Sequence, residues 1–298
     1  MNALAGLRPT VSRARITAIA ATLLATSCSA GLASGAGDTA LTPPVVSASA
    51  AAPVTGYDGL MGLPLSAYGT SEQDDDLLFR AERAVVVRCM RSRGHQDYSG
   101  QNMVRSSLED EEDREAVRPA GAWGYIGRAT ARNQGFHPRT LPMGASTGMT
   151  AEAGKDFEAC SAEAGEQLPD LTGTDGWKLT QSLFGQSFQQ AAADRRVTAA
   201  RKRWSACMTE AGHPAEDPEK LAEGSWKTAR PTDDEIAAAT AAESCTRSSG
   251  LAAVFFAVLT GYQRQMVPAN TDALTAYQKQ VQKQIGRATH LLADFPAT

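Results

Sequence analysis

From residue 70 onward, apolar positions recur at spacings of three and four, which is the pattern of a helix with one buried face and not that of a strand. Thr70-Ser71 followed by Glu72, Asp74, Asp75 and Asp76 caps and charges a first helical turn. Leu78, Val85 and Cys89 then share one face, and Gly94 stops the helix. Thr150 opens a second helix carrying Phe157 and Cys160. The spacing predicts one long helix over residues 177–211, with Val197, Trp204, Cys207, Met208 and Ala211 on its apolar stripe. Pro231-Thr232-Asp233-Asp234-Glu235 reads as a capping box, Glu235 standing three residues after Thr232, and it launches a helix through Cys245. Residues 251–259 and 272–292 complete the set, and Pro268 must break or kink the path between them. Strand signals are nearly absent, since no Asn-Gly or Asp-Gly turn joins two alternating β-branched runs. The predicted fold is all-α.

The region before these helices has a different pattern. Residues 1–27 contain Arg8, Arg13 and Arg15, no acidic residue, and an apolar run over 16–25. A positive start, a short apolar run and small residues at its end form a secretory signal. A run of about ten residues is too short for a spanning helix, which takes roughly 20. The sequence Leu24-Ala25-Thr26-Ser27-Cys28 resembles the lipobox of bacterial lipoproteins, although the family places leucine three residues before the cysteine and Leu24 stands four before it. That resemblance implies acylation of Cys28 and attachment to the outer face of the cell membrane; cleavage near Ser29-Ala30 would instead leave a secreted protein. Residues 28–56 are rich in Ala, Ser, Gly, Thr and Pro, carry Asp38 as their one charge and have no aromatic residue. Such a composition cannot offset the entropy of ordering, so it reads as a flexible tether, with the folded body starting near Tyr57.

The body contains a duplicated frame. Cys89-Met90 with Gly94-His95 matches Cys207-Met208 with Gly212-His213, and each is followed by a second frame, Glu158-Ala159-Cys160 with Gly165 and Glu243-Ser244-Cys245 with Gly250. The duplication divides residues 57–298 into two related halves, about 57–172 and 173–298. Four cysteines allow three pairings, and the repeat favours Cys89–Cys160 and Cys207–Cys245, one bridge in each half. Export makes oxidation the expected state. Buried free thiols are the alternative. A zinc site using His95 and His213 is a weaker one, because no Cys-x-x-Cys pair occurs. In both copies Gly-His fits a helix C-cap with the following side chain folded back on the last turn.

Leu63-Pro64-Leu65 with Tyr68, the Cys-Met-x-x-x-Gly frame, Trp123-Gly124-Tyr125, Gly135-Phe136-His137, Trp204 with Cys207-Met208, and Cys245 with Gly250-Leu251 leading to Tyr262-Gln263 follow one another along the chain. In this order the motifs resemble a family of actinobacterial exported lipoproteins with repeated Cys-Met-x-x-x-Gly motifs, over about residues 60–285. The resemblance implies an envelope location and no particular chemistry. This chain departs from it by placing His95 and His213 where an aromatic residue is usual, and by carrying Pro268.

Candidate chemistry is sparse. Gly144-Ala145-Ser146-Thr147-Gly148 spells the hydrolase Gly-x-Ser-x-Gly, with His213 or His290 as nominal partners. A nucleophile elbow needs an apolar strand before the serine, and Pro138 and Pro142 stand there instead. Residues 109–115 pack six carboxylates around Arg114 without the alternation or central glycine of a calcium loop, and read as a solvated acidic face. Arg195, Arg196, Arg201, Lys202 and Arg203 form a basic stripe, also read as solvated. Trp123, Tyr125, Phe136 and His137 are the candidate ligand-binding residues, because convergent aromatic and polar groups suit a pocket wall; the competing reading is a plug between the halves.

Composition narrows the choice. Forty-two per cent hydrophobic residues can fill a core, and a net charge of −4 gives no basic face for phosphates, so nucleic acid is not an expected partner. Neither a metal nor a cofactor is expected. The sequence points to a non-enzymatic, membrane-anchored binding or accessory component that meets an envelope protein or small ligand. A serine hydrolase acting on cell-wall material through Ser146 and a ligand-free spacer are the alternatives.

Overall fold

The computed structural model describes residues 41–47, 50–53, 56–100, 103, 127–137, 149–224, 226, 228 and 230–294. The described chain is built from α1 (Gly56–Met61), a 3-10 turn (Pro64–Tyr68), α2 (Glu72–Ser92), α3 (Arg128–Gln134), α4 (Ala151–Gln167), α5 (Asp175–Ala193), α6 (Arg195–Glu210), α7 (Pro218–Ala222), α8 (Asp233–Ser249), α9 (Leu251–Ala269) and α10 (Thr271–Asp294). Among the described residues there is no strand, so the all-α expectation holds. None of the described helices is long and apolar enough to cross a membrane.

The local signals act as the sequence implies. Ser71 accepts the Asp74 backbone N–H at 3.1 Å while Asp74 accepts that of Ser71 at 2.9 Å, a reciprocal capping box that starts α2. Thr150 caps α4 through the Ala153 N–H. The duplicated Cys-Met-x-x-x-Gly-His frame encodes the same helix ending twice. His95 N–H donates to Met90 C=O at 3.1 Å and Gly94 N–H to Arg91 C=O at 3.1 Å, while His213 N–H reaches Met208 C=O at 2.9 Å and Gly212 N–H reaches Thr209 C=O at 3.1 Å. These are the two bonds of a Schellman cap, and the left-handed φ they need, 102° at Gly94 and 82° at Gly212, is why glycine stands there. The His95 side chain does not fold back on α2 as expected; its Nε2 lies 2.9 Å from Asp156 Oδ2 on α4. The second frame diverges between the copies. Gly250 ends α8 at φ 70°, whereas Gly165 lies inside α4.

Both disulfides join the favoured partners. Cys89–Cys160 links α2 to α4 with the Cα atoms 5.5 Å apart, and Cys207–Cys245 links α6 to α8 at 5.6 Å. Arg88–Glu163 and Arg93–Asp156 flank the first bridge in the reverse order, so α2 and α4 run antiparallel. The Cys89 bridge lies over Val85, Val86, Met90 and Tyr98. The second borders the main core, where Trp204, Met208, Leu251, Phe255, Leu259 and Leu274 are buried. Phe188, Phe255 and Phe256 stack edge to face there, with centroids 5.5 and 5.4 Å apart.

Helices distant in sequence pack together: α3 lies on α8, and α10 lies along α2. Ala288 of α10 closes a small cluster with Leu78, Ala81 and Leu168. Gln263 of α9, fully buried, accepts the Leu65 N–H at 3.1 Å and donates to Ser187 at 3.2 Å, which ties the Leu-Pro-Leu turn to the distant Tyr262-Gln263 motif.

Three further expectations need correction. The predicted helix over 177–211 is two helices, because Asp194 takes extended angles (φ −63°, ψ 133°), ends α5 and caps α6 by accepting the Arg196 N–H. An aspartate that satisfies the first N–H groups of the next segment competes with helix continuation. The capping box before α8 is one-sided: Thr232 accepts the Glu235 N–H at 3.2 Å, but the Glu235 side chain turns inward. The body also begins before Tyr57, since residues 41–47, assigned to the tether, lie against α9, with Pro44 buried. Pro268 lies inside the last turn of α9, two residues before the cap at Asn270 that separates α9 from α10.

Candidate functional site

The short α3 ends at Gly135, and the next two residues carry the polar centre of the molecule. Phe136 N–H donates to Glu235 Oε1 at 2.8 Å, and His137 Nδ1 lies 2.7 Å from the same oxygen. The other ring nitrogen, Nε2, is 2.8 Å from the Thr228 carbonyl. A carbonyl can only accept, so Nε2 carries a proton, and Nδ1 faces an oxygen that already accepts another N–H. Both ring nitrogens thus face oxygen acceptors, an arrangement that favours the protonated ring. The Thr228 carbonyl and then Glu235 hold the His137 pKa above its ordinary value of 6.5, against the lowering effect of partial desolvation.

Glu235 is fully buried in the first turn of α8, where the helix N-terminus favours an anion. Its Oε2 is buried and has no hydrogen-bond partner among the described residues. Gly135 allows the approach, because a Cβ there would come within 2.8 Å of Glu235 Oε1. Two turns along α8, Glu243 is also buried; it accepts the Gly127 N–H at 3.2 Å and pairs with Arg247 at 2.6 Å. Both ends of α3 are thus fastened to one helix by buried carboxylates. The position matching Glu243 in the first copy of the frame is Glu158, which is exposed.

Of the predicted binding residues, Trp123 and Tyr125 lie outside the described residues, as do Cys28, Ser146 and the whole acidic run over 109–115. Phe136 stacks on Trp226 with centroids 5.4 Å apart and planes at 27°, and it packs against the main core. Trp226 escaped the sequence reading; its indole donates to Leu221 C=O at 2.7 Å. Where described, the aromatic segment fills the junction of α3, α8 and the chain after α7. Phe136 and His137 spend their polar groups on fastening.

The basic stripe is also largely used within the fold. Arg196 pairs with Asp194 at 2.7 Å, Arg201 with Asp217 at 3.4 Å, and Arg203 donates to Ser249 C=O at 3.0 Å. Arg195 and Lys202 are exposed. Of the candidate histidines, His213 is half-buried and His290 exposed. Among the described residues no cluster of three or more His, Cys, Asp or Glu side chains could hold a metal ion.

The His137 geometry gives a pH prediction. A histidine whose folded pKa lies above its unfolded value stabilises fully below about pH 6.5. That contribution fades as pH rises through the raised folded pKa. The urea midpoint of the unaltered protein should therefore exceed that of His137→Gln at pH 6, and the gap should narrow by pH 9. A gap independent of pH would show that the ring is neutral in the folded state.

The fold and the polar centre define a disulfide-stapled, all-α protein with buried carboxylates at its helix junctions. No protein-family model, curated protein or solved structure matches the chain.

Proposed function

We propose that this protein is an exported, lipid-anchored and non-enzymatic binding or accessory component of the cell envelope. The observation that carries the reading is the pair of closed disulfides, one in each half. Bridges of this kind persist in oxidising compartments and are rare where thiols are kept reduced. They agree with the positive, apolar and small-residue pattern of residues 1–27 and with the cysteine that follows it. The resemblance of the motif order to actinobacterial exported lipoproteins supports the same address. Two or more acyl chains on Cys28 would hold the body at the outer face of the membrane, where one would bind only reversibly.

The experiment is fractionation with mass analysis. The mature chain is expected to begin at an acylated Cys28 and to sediment with membranes. Cys28→Ala is expected to shift most of the protein to the medium or the soluble fraction. A mature chain that starts beyond Cys28, or a Cys28→Ala variant that still sediments, would overturn the anchor.

A further inference from the structure

The segment before the first helix is held by side chains of α6 and α9. Residues 41–47 have no regular secondary structure, and they are gripped chiefly through their backbone. The Gln265 side chain takes both backbone polar groups of Thr42 and its hydroxyl: its Oε1 accepts the Thr42 N–H at 3.1 Å and the hydroxyl at 3.3 Å, and its Nε2 donates to the Thr42 C=O at 2.9 Å. Arg196 Nη1 donates to the Pro44 carbonyl at 2.6 Å. The Pro44 ring is buried against Gly261, where any Cβ would overlap the proline Cβ. Leu41 and Val46 pack on the edge of the main core, while Pro43 and Val45 face solvent.

The receptor side of these contacts is built independently of the segment. Arg196 is fixed by a two-point pair with Asp194, Nε to Oδ1 at 2.8 Å and Nη2 to Oδ2 at 2.7 Å, and the Asp194 side chain is 2% exposed. This fork geometry leaves Nη1 aimed outward for a carbonyl. Asp194 is in turn the residue that breaks the α5–α6 helix, so the break itself sets the arginine. Gln265 and Gly261 lie one turn apart on α9. A side-chain amide that reads a peptide unit, an arginine that reads a carbonyl two residues on, and a notch for one proline ring together recognise an extended peptide with proline at a defined place.

We propose that the face formed by Gly261, Gln265 and Arg196 is a binding groove for an extended, proline-containing peptide segment of a partner protein, and that residues 41–46 occupy it in cis in the free protein. The preferred ligand has the chemistry of the resident segment: an aliphatic residue, a peptide unit with both N–H and C=O free, proline in the notch, and a second aliphatic residue two positions on. Self-occupancy acts at an effective concentration of order millimolar, so a partner must outcompete it, and the resident segment sets the threshold for binding. The inference holds whether or not Cys28 is acylated.

The test uses the full mature chain and a fluorescent, end-capped peptide with the sequence of residues 39–48. Pro44→Asp unseats the resident segment and leaves every groove residue in place. The peptide is expected to bind Pro44→Asp at least tenfold more tightly than the unaltered chain. Adding Gln265→Ala should remove that binding, and a peptide with alanine at both prolines should bind at least tenfold more weakly. Thr42→Pro, which deletes the N–H that Gln265 accepts, is a second way to free the groove and should behave like Pro44→Asp; circular dichroism confirms that each variant is helical. Equal binding to freed and unaltered chains, no binding to either freed chain, or indifference to Gln265→Ala would overturn the groove.

Discussion

Trp204→Ala is expected to lower the stability of the folded protein by about 3–5 kcal/mol. The indole is completely buried in the main core, and its Nε1 donates to the Ala242 carbonyl at 3.3 Å, bridging α6 to α8. It stands one turn before Cys207, and Ala242 stands one turn before Cys245, so the ring and the disulfide fasten the same pair of helices at adjacent levels. Deleting the ring removes its buried apolar surface and leaves a cavity that the disulfide prevents from closing. Trp204→Phe should cost much less, about 1–2 kcal/mol. Ala242 C=O also accepts the Thr246 hydroxyl at 2.9 Å and would keep that partner. Urea unfolding of the three proteins under non-reducing conditions decides the matter. A loss under about 1 kcal/mol for Trp204→Ala would show that the core collapses freely around the site.

Removal of either disulfide by paired alanine substitution is expected to cost up to about 4 kcal/mol. The loops closed span 71 and 38 residues in sequence. The entropy of closure grows only with the logarithm of loop length, so the two losses should differ by about 0.5 kcal/mol despite the near twofold difference in span. The urea midpoints of Cys89→Ala/Cys160→Ala and Cys207→Ala/Cys245→Ala, each with the other bridge intact, provide the comparison. A loss under about 1 kcal/mol for one pair would mean that its unfolded loop is already compact.

Much of the fold is legible in the chain because its signals are local. Ser71, Thr150 and Thr232 mark helix starts because a short oxygen-bearing side chain satisfies N–H groups within three residues of itself. The repeated Gly-His ending is equally local, since both Schellman bonds close within six residues. The cysteine pairing was readable for another reason: the duplication restricted each cysteine to its own half. The break at Asp194 was missed because Gln189, Gln190 and the alanines that follow are good helix formers and hide a cap whose reward is the buried fork to Arg196. At Glu235 the capping-box expectation holds only in part. Thr232 caps α8 as the spacing implies, but the carboxylate finds His137 and the Phe136 N–H, 98 and 99 residues away in sequence, more rewarding than its own helix end. Of the aromatic site, Phe136 and His137 were found as residues, but their partners Trp226 and Thr228 carried no spacing signal.

By itself, then, the sequence determined the all-α class, the helix starts and stops written in caps, and the pairing of its four bridged cysteines. Each depends on contacts within one helix turn or on a repeated frame. Only the tertiary structure decided that α3 fastens to α8, that α10 lies along α2, and that residues 41–47 belong to the body. These arrangements depend on which buried carboxylate meets which distant N–H and on which glycine leaves room for a proline. Such choices are made when the helices pack, and no period along the chain records them.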